Sequence, residues 1–113
     1  MKLPKEDNSV DGVYQIEAAC HSPTKLELYK EIFRVMKPGT YFAGYEWVMT
    51  DKYDNNNQKH RMIKKGIEIG NGIADLEPAS NILGYMVKQF LFYFYFFIIL
   101  FYFILFYFFI FYF

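Results

Sequence analysis

DGVYQIEA (residues 11–18), HSPTKLELYKEIFRVMKPG (21–39) and YFAGYEWVMT (41–50) decide the fold of this 113-residue chain. The first run opens on a turn pair, Asp11-Gly12, and continues through Val13, Tyr14 and Ile16 to a carboxylate, the pattern of a short buried strand. The second predicts a helix. Thr24 stands three residues before Glu27, the spacing at which two side chains can satisfy the free amides of a first turn. Leu28, Tyr29, Ile32, Phe33, Val35 and Met36 then recur at helical spacing, while Lys25, Glu27, Lys30, Glu31 and Arg34 take the other positions. Pro38 disfavours helical geometry at Lys37 and Gly39 permits a reversal, so the helix should stop near Met36. The aromatic-rich third run is read as a second strand over Tyr41–Thr50. Strand, helix, strand implies a parallel crossover.

Outward from this unit, Asp51–Asn57 is a polar loop, and Gln58–Ile69 offers Met62, Ile63 and Ile67 for a weaker helix that Gly70 and Gly72 should end. Pro78 is read as punctuating an irregular linker over 78–89. Two strands with one or two helices cannot cover both faces of a sheet whose strands are this apolar. Neighbouring strands are therefore expected to have belonged to a longer chain.

Residues 90–113 differ in kind. Twelve of the 14 Phe residues lie there, beside Tyr, Ile and Leu alone, and every charged side chain lies upstream. As a helix this run would extend about 36 Å at 1.5 Å per residue, enough to cross a bilayer with tilt. Lys88 before it would keep the upstream part cytosolic. That reading gives a membrane anchor, with the endoplasmic reticulum as the expected location. The alternative is a mispredicted gene fragment, because these residues have thymine- and adenine-rich codons and the run lacks the small residues that membrane helices pack with.

The 12 basic and 12 acidic side chains balance, which leaves no nucleic-acid footprint. One cysteine, Cys20, excludes an internal disulfide and a multi-cysteine metal cluster. Met1 is followed at once by polar residues, so no secretory or transit leader is expected. Ligands of open parallel sheets bind at the carboxyl ends of the strands, which directs attention to Glu17, Cys20 and His21 after the first strand and to Tyr45, Glu46 and Trp47 in the second. Carboxylates in apolar strands are costly unless partnered or wet, so Glu17 and Glu46 hold either the fold or a reaction. A thiol nucleophile or a Cys20–His21 metal pair is disfavoured, since adjacent side chains usually point apart.

DGVYQIEAACHSP (11–23), YKEIFRVMKPG (29–39), YEWVMTDKYD (45–54) and IKKGIEIGNGIADL (63–76) resemble, in order and spacing, the region of sterol 24-C-methyltransferases that follows their cofactor-binding half. Residues 1–77 are accordingly identified as an α/β piece of a class I, Rossmann-like methyltransferase domain, with DGVYQIEA on its fourth strand and YFAGYEWVMT on its fifth. The resemblance implies S-adenosylmethionine as cofactor and a sterol as substrate, methylated at carbon 24 of its side chain through a carbocation that undergoes a hydride shift and loses a proton. It makes Glu17, His21 and Glu46 the catalytic candidates, Ala18 part of the cofactor wall, and Tyr14, Cys20, Tyr45 and Trp47 the substrate wall. Ala19 stands where the family usually has threonine, and Ser22 where alanine is common. The family's glycine-rich turn and its ribose-holding acid have no counterpart here. Three expectations follow: a truncated methyltransferase that binds no cofactor alone, an inactive anchored interaction protein paired with another methyltransferase chain, or an enzyme assembled from two halves.

Overall fold

The computed structural model describes residues 2–89. Strand β1 (Val10–Ile16) is followed by a single 3-10 turn (Ala19–His21), helix α1 (Lys25–Val35), strand β2 (Met36–Tyr45) and helix α2 (Gln58–Asn71). A further helix, α3, occupies 79–89. Among the described residues the sheet has two strands, paired in parallel. The crossover expected from the hydrophobic pattern is therefore present.

Its boundaries differ from expectation in instructive ways. Helix α1 starts after Thr24, but the Thr24 side chain caps nothing, and Glu27 pairs with Lys30 instead of reaching back. Ser22 Oγ accepts the Thr24 amide in its place. Strand β2 begins at Met36 rather than Tyr41, because the chain enters the ladder directly on leaving α1. Val10 faces Met36 and Gly12 faces Tyr41, so Lys37–Thr40 bulges out between them. Gly39 supplies the left-handed backbone of that bulge (φ 80°), and Thr40 Oγ1 closes it on the Lys37 carbonyl at 2.7 Å.

Strand β2 also stops at Tyr45, short of Thr50. Glu17 amide still donates to the Tyr45 carbonyl at 2.7 Å, but Glu17 itself is left-handed (φ 49°), and there β1 turns away. With no strand left beside it, Met49 bridges Pro78, donating to the Glu77 carbonyl and accepting from the Ala79 amide. Helix α2 runs through Gly70 and ends only where Gly72 takes φ 64°. Asn57 caps its start, accepting from the Lys59 and His60 amides.

The span 78–89 is not a linker. The Pro78 carbonyl accepts the Asn81 and Ile82 amides as the first turn of α3 forms, and Ile82 is buried with Tyr85 and Met86 packed beside it. These residues join Ala19, Tyr29, Ile32 and Met36 against Val13 and Phe42 on one sheet face. Tyr29 is wholly buried, its ring edge-on to Phe42 at 6.0 Å and its hydroxyl accepting from Gln15 at 3.2 Å. A smaller cluster, Cys20, Ile73 and Leu76 with Met49 and Ile67, seats α2.

On the other sheet face the side chains of both strands are exposed among the described residues. Gly12, Tyr14 and Ile16 of β1 and Tyr41, Ala43 and Tyr45 of β2 are all exposed, Tyr14 by 80% and Tyr41 by 87%. The proposed membrane helix over 90–113 lies outside the described residues, and among those described no helix is long and apolar enough to cross a membrane.

Candidate functional site

Where β1 and β2 end, the chain leaves a recess of about 210 Å³ lined by Glu17, Tyr45, Glu46, Trp47 and Val48. The left-handed turn at Glu17 takes its side chain out of the strand's alternation, and the loss of ladder pairing after Tyr45 frees Glu46 and Trp47 to line the same recess. One Glu46 oxygen accepts the Trp47 amide at 3.0 Å. The other, Oε2, is buried with no hydrogen-bond partner. A carboxylate oxygen buried without a partner is stabilised by a positive charge brought beside it. With a second carboxylate and two aromatic side chains in its lining, the recess is suited to a cation.

Not every candidate from the sequence reaches this recess. Cys20 is buried (1% exposed) and its thiol donates to the Glu17 carbonyl at 3.3 Å. Burial, reinforced by the neighbouring Glu46 carboxylate, pushes that thiol up to about 11. It packs with Ile73 and Leu76 in the second core cluster. His21 is exposed and its Nδ1 lies 2.9 Å from the Gly72 carbonyl. A carbonyl only accepts, so Nδ1 carries the proton and the ring latches the 3-10 turn to the end of α2. Tyr14 stands on the exposed sheet face, and Ala18 is exposed just beyond Glu17, its carbonyl accepting the His21 amide.

Sequence reasoning missed the support of this region. Lys25, 4% exposed, donates to the Asp75 carbonyl at 2.7 Å and pairs with Glu77 at 3.3 Å. Glu77 in turn accepts from the Tyr85 hydroxyl at 2.7 Å, so one buried cation joins α1, the segment before Pro78 and α3. Partners 50 and more residues away leave no local signal. A second groove, about 270 Å³, lies between residues 48–53 and α2 and is lined mainly by Val48, Met49, Ile63, Ile67 and Leu76. Among the described residues no cluster of three metal-ligating side chains exists.

Residues 1–44 match a family model described as a methyltransferase domain. The chain is 52% identical over 83 residues to cycloartenol-C-24-methyltransferase 1 of Oryza sativa subsp. japonica, covering 74% of this chain and 24% of that protein. It is 58% identical over 76 residues to a sterol 24-C-methyltransferase of Saccharomyces cerevisiae, covering 67% and 20%. To 24-methylenesterol C-methyltransferase 3 of Arabidopsis thaliana it is 46% identical over 82 residues, 73% and 23% of the two chains. The chain thus spans about a quarter or less of the length of the curated relatives it matches. Over that matched part it is similar to sterol 24-C-methyltransferases.

Proposed function

We propose that this chain carries one wall of the active site of an S-adenosylmethionine-dependent sterol C-24 methyltransferase, and that the wall stabilises and deprotonates the cationic intermediate. The supporting observation is the recess at the strand ends, where Glu17 and the half-satisfied Glu46 carboxylate meet Tyr45 and Trp47 within a segment 46–58% identical to sterol methyltransferases. Positive charge developing on a sterol side chain next to two carboxylates and two ring faces is lowered in energy by fixed groups that need no reorganisation. Glu46 Oε2 is the proton acceptor in this reading, because it is a buried oxygen to which no described residue donates within hydrogen-bond distance. His21 is the second candidate acceptor through Nε2, since the Gly72 carbonyl holds the proton on its Nδ1.

The cofactor is a separate matter. S-adenosylmethionine supplies the methyl group when bound, but the described residues do not complete a site for it. The recess of about 210 Å³ falls below the roughly 300–1,000 Å³ of pockets that enclose drug-sized ligands. The turn between β1 and α1, EAACHSPT, holds no glycine to admit a nucleotide, and the first residue of α1 is a buried cation with protein partners. The isolated chain should therefore show no heat of S-adenosylmethionine binding by calorimetry.

The discriminating experiment is a segment exchange. Residues of this chain replace the matched 83-residue segment of the Arabidopsis thaliana cycloartenol-C-24-methyltransferase, and methyl transfer to cycloartenol is measured. Retained activity that falls at least about tenfold with Glu46→Gln supports the reading. A folded, cofactor-binding chimera that methylates no sterol, or one indifferent to Glu46→Gln and Glu17→Gln alike, overturns it. Residues 90–113 add a location to the proposal, an anchor in an endoplasmic-reticulum-type membrane. Release of the chain from cellular membranes by alkaline carbonate would end that part.

A further inference from the structure

Both histidines of the chain are engaged through Nδ1, and the two bonds are opposite in kind. His21 Nδ1 lies 2.9 Å from the Gly72 carbonyl, which only accepts, so that nitrogen carries a proton. His60 Nδ1 lies 3.0 Å from the Asp54 amide, which only donates, so that nitrogen presents its lone pair and the proton of the neutral ring is on Nε2. A second proton therefore acts differently at the two rings. At His21 it enters at Nε2 and leaves the bond to Gly72 standing. At His60 it enters at Nδ1, and the Asp54 amide is left facing another donor.

The Asp54 bond ties two walls together. Residues 48–53 line one side of the groove of about 270 Å³, and His60, Ile63, Lys64 and Ile67 of α2 line the other. Between them Asp54–Asn57 folds onto the first turn of α2: Asn57 Oδ1 accepts the Lys59 and His60 amides, and Arg61 donates to the Asn55 carbonyl at 2.7 Å. Amides, carbonyls and a guanidinium keep their protons near neutrality, so the bond at His60 Nδ1 is the contact among these that a proton can remove. Its two partners stand six positions apart, so the device is local to this turn of chain.

The charges around the ring are mixed. Asp51 and Asp54 of the loop favour a charged imidazole, whereas Lys52, the positive end of α2, and Lys59, Arg61 and Lys64 on that helix oppose one. Lys64 is itself paired with Glu68 and Asp75, and neither residues 48–50 nor residues 90–113 carry a charge. Imidazoles exchange their proton between about pH 5 and 8. We propose that His60 is a pH-sensitive latch: neutral, it holds the 48–54 segment to α2, and protonated, it releases Asp54 and lets that wall of the groove move away. Val48 lines both this groove and the recess at the strand ends, so the wall that moves is continuous with the candidate site. The latch stands independently of the methyltransferase reading.

The test uses the full chain, labelled with nitrogen-15, in mild detergent. Long-range hydrogen–nitrogen spectra at about pH 7.5 should show His60 protonated on Nε2 alone and His21 on Nδ1 alone. Between about pH 7.5 and pH 5 the exchange protection factor of the Asp54 amide should fall by roughly tenfold or more, in step with the His60 ring, while that of the Ile73 amide, bonded to the Glu68 carbonyl at the far end of α2, stays within about twofold. His60→Asn, which sets an oxygen acceptor where Nδ1 stands, should keep the protection at both pH values, and His60→Leu should lack it at both. A neutral His60 carrying its proton on Nδ1 overturns the proposal. So do a ring still neutral at pH 5, protection of Asp54 that is unchanged while the ring titrates, and a pH response that persists in His60→Asn. Because the tautomer is read on the parent chain, the proposal stays falsifiable even if a variant fails to fold.

Discussion

Two side chains near the recess illustrate what a sequence does and does not disclose about single residues. Cys20 beside His21 invites a reactive reading, yet a thiol raised to about 11 and buried beneath Ile73 and Leu76 is neutral at physiological pH. Alkylation by iodoacetamide at pH 8, followed by mass spectrometry, should be slow in the folded chain and become fast in urea. Because the folded value exceeds the ordinary 9.0, the advantage of the protonated thiol is complete below pH 9 and is lost as pH rises toward about 11. Lys25 is the opposite case, a residue legible only as part of a solvated helix face that proves to be a buried anchor. Lys25→Met would leave Glu77 without its cation, at a cost of about 3 kcal/mol in urea unfolding. Glu46 was legible as an anomaly, a carboxylate in an apolar run, but only the break in the ladder after Tyr45 reveals that its second oxygen is dry and unpaired.

At the scale of elements, periodicity identified β1 and α1 because burial on one side imposes it, and it failed at the joins. The Thr24–Glu27 spacing permits reciprocal capping without compelling it, and Pro38-Gly39 serves a bulge inside β2 as readily as a turn before it. Pro78 was misread for a similar reason. A residue that cannot continue a helix is well suited to start one, and Ile82, Tyr85 and Met86 have the helical spacing that α3 uses. Two predictions belong here. Glu31 on α1 is held down to about 2, first by hydrogen bonds from Arg34 and also by the Leu3 amide, despite some desolvation. A depressed carboxylate stabilises the fold above its ordinary value of 4.5 and loses that contribution as pH falls toward about 2, so Glu31→Gln should flatten the acid limb of a circular-dichroism titration across that window. Gly72 ends α2 in the left-handed region, and Gly72→Ala should cost about 1 kcal/mol, read as a lower thermal midpoint.

Over the whole molecule, packing is uneven. Helix α1 is pinned by Lys25, Tyr29, Ile32 and Val35, whereas α2 has no buried residue and leaves Met62, Ile63 and Ile69 exposed. Hydrogen–deuterium exchange should therefore release the amides of Gln58–Asn71 well before those of Lys25–Val35; uniform protection would contradict this account. The α/β class and the exposed face were readable from the sequence, since two apolar strands with their helices cannot enclose themselves. The pairing of Gly12 with Tyr41 and of Tyr14 with Ala43 was not, because it depends on the shift of register at the Lys37–Thr40 bulge. That sheet carries one more consequence. Each strand has a single neighbour among the described residues, so each has a rim that no other described strand pairs. Addition along a rim exposes a fresh rim and never terminates, so at high concentration the chain should polymerise into thioflavin-binding fibrils.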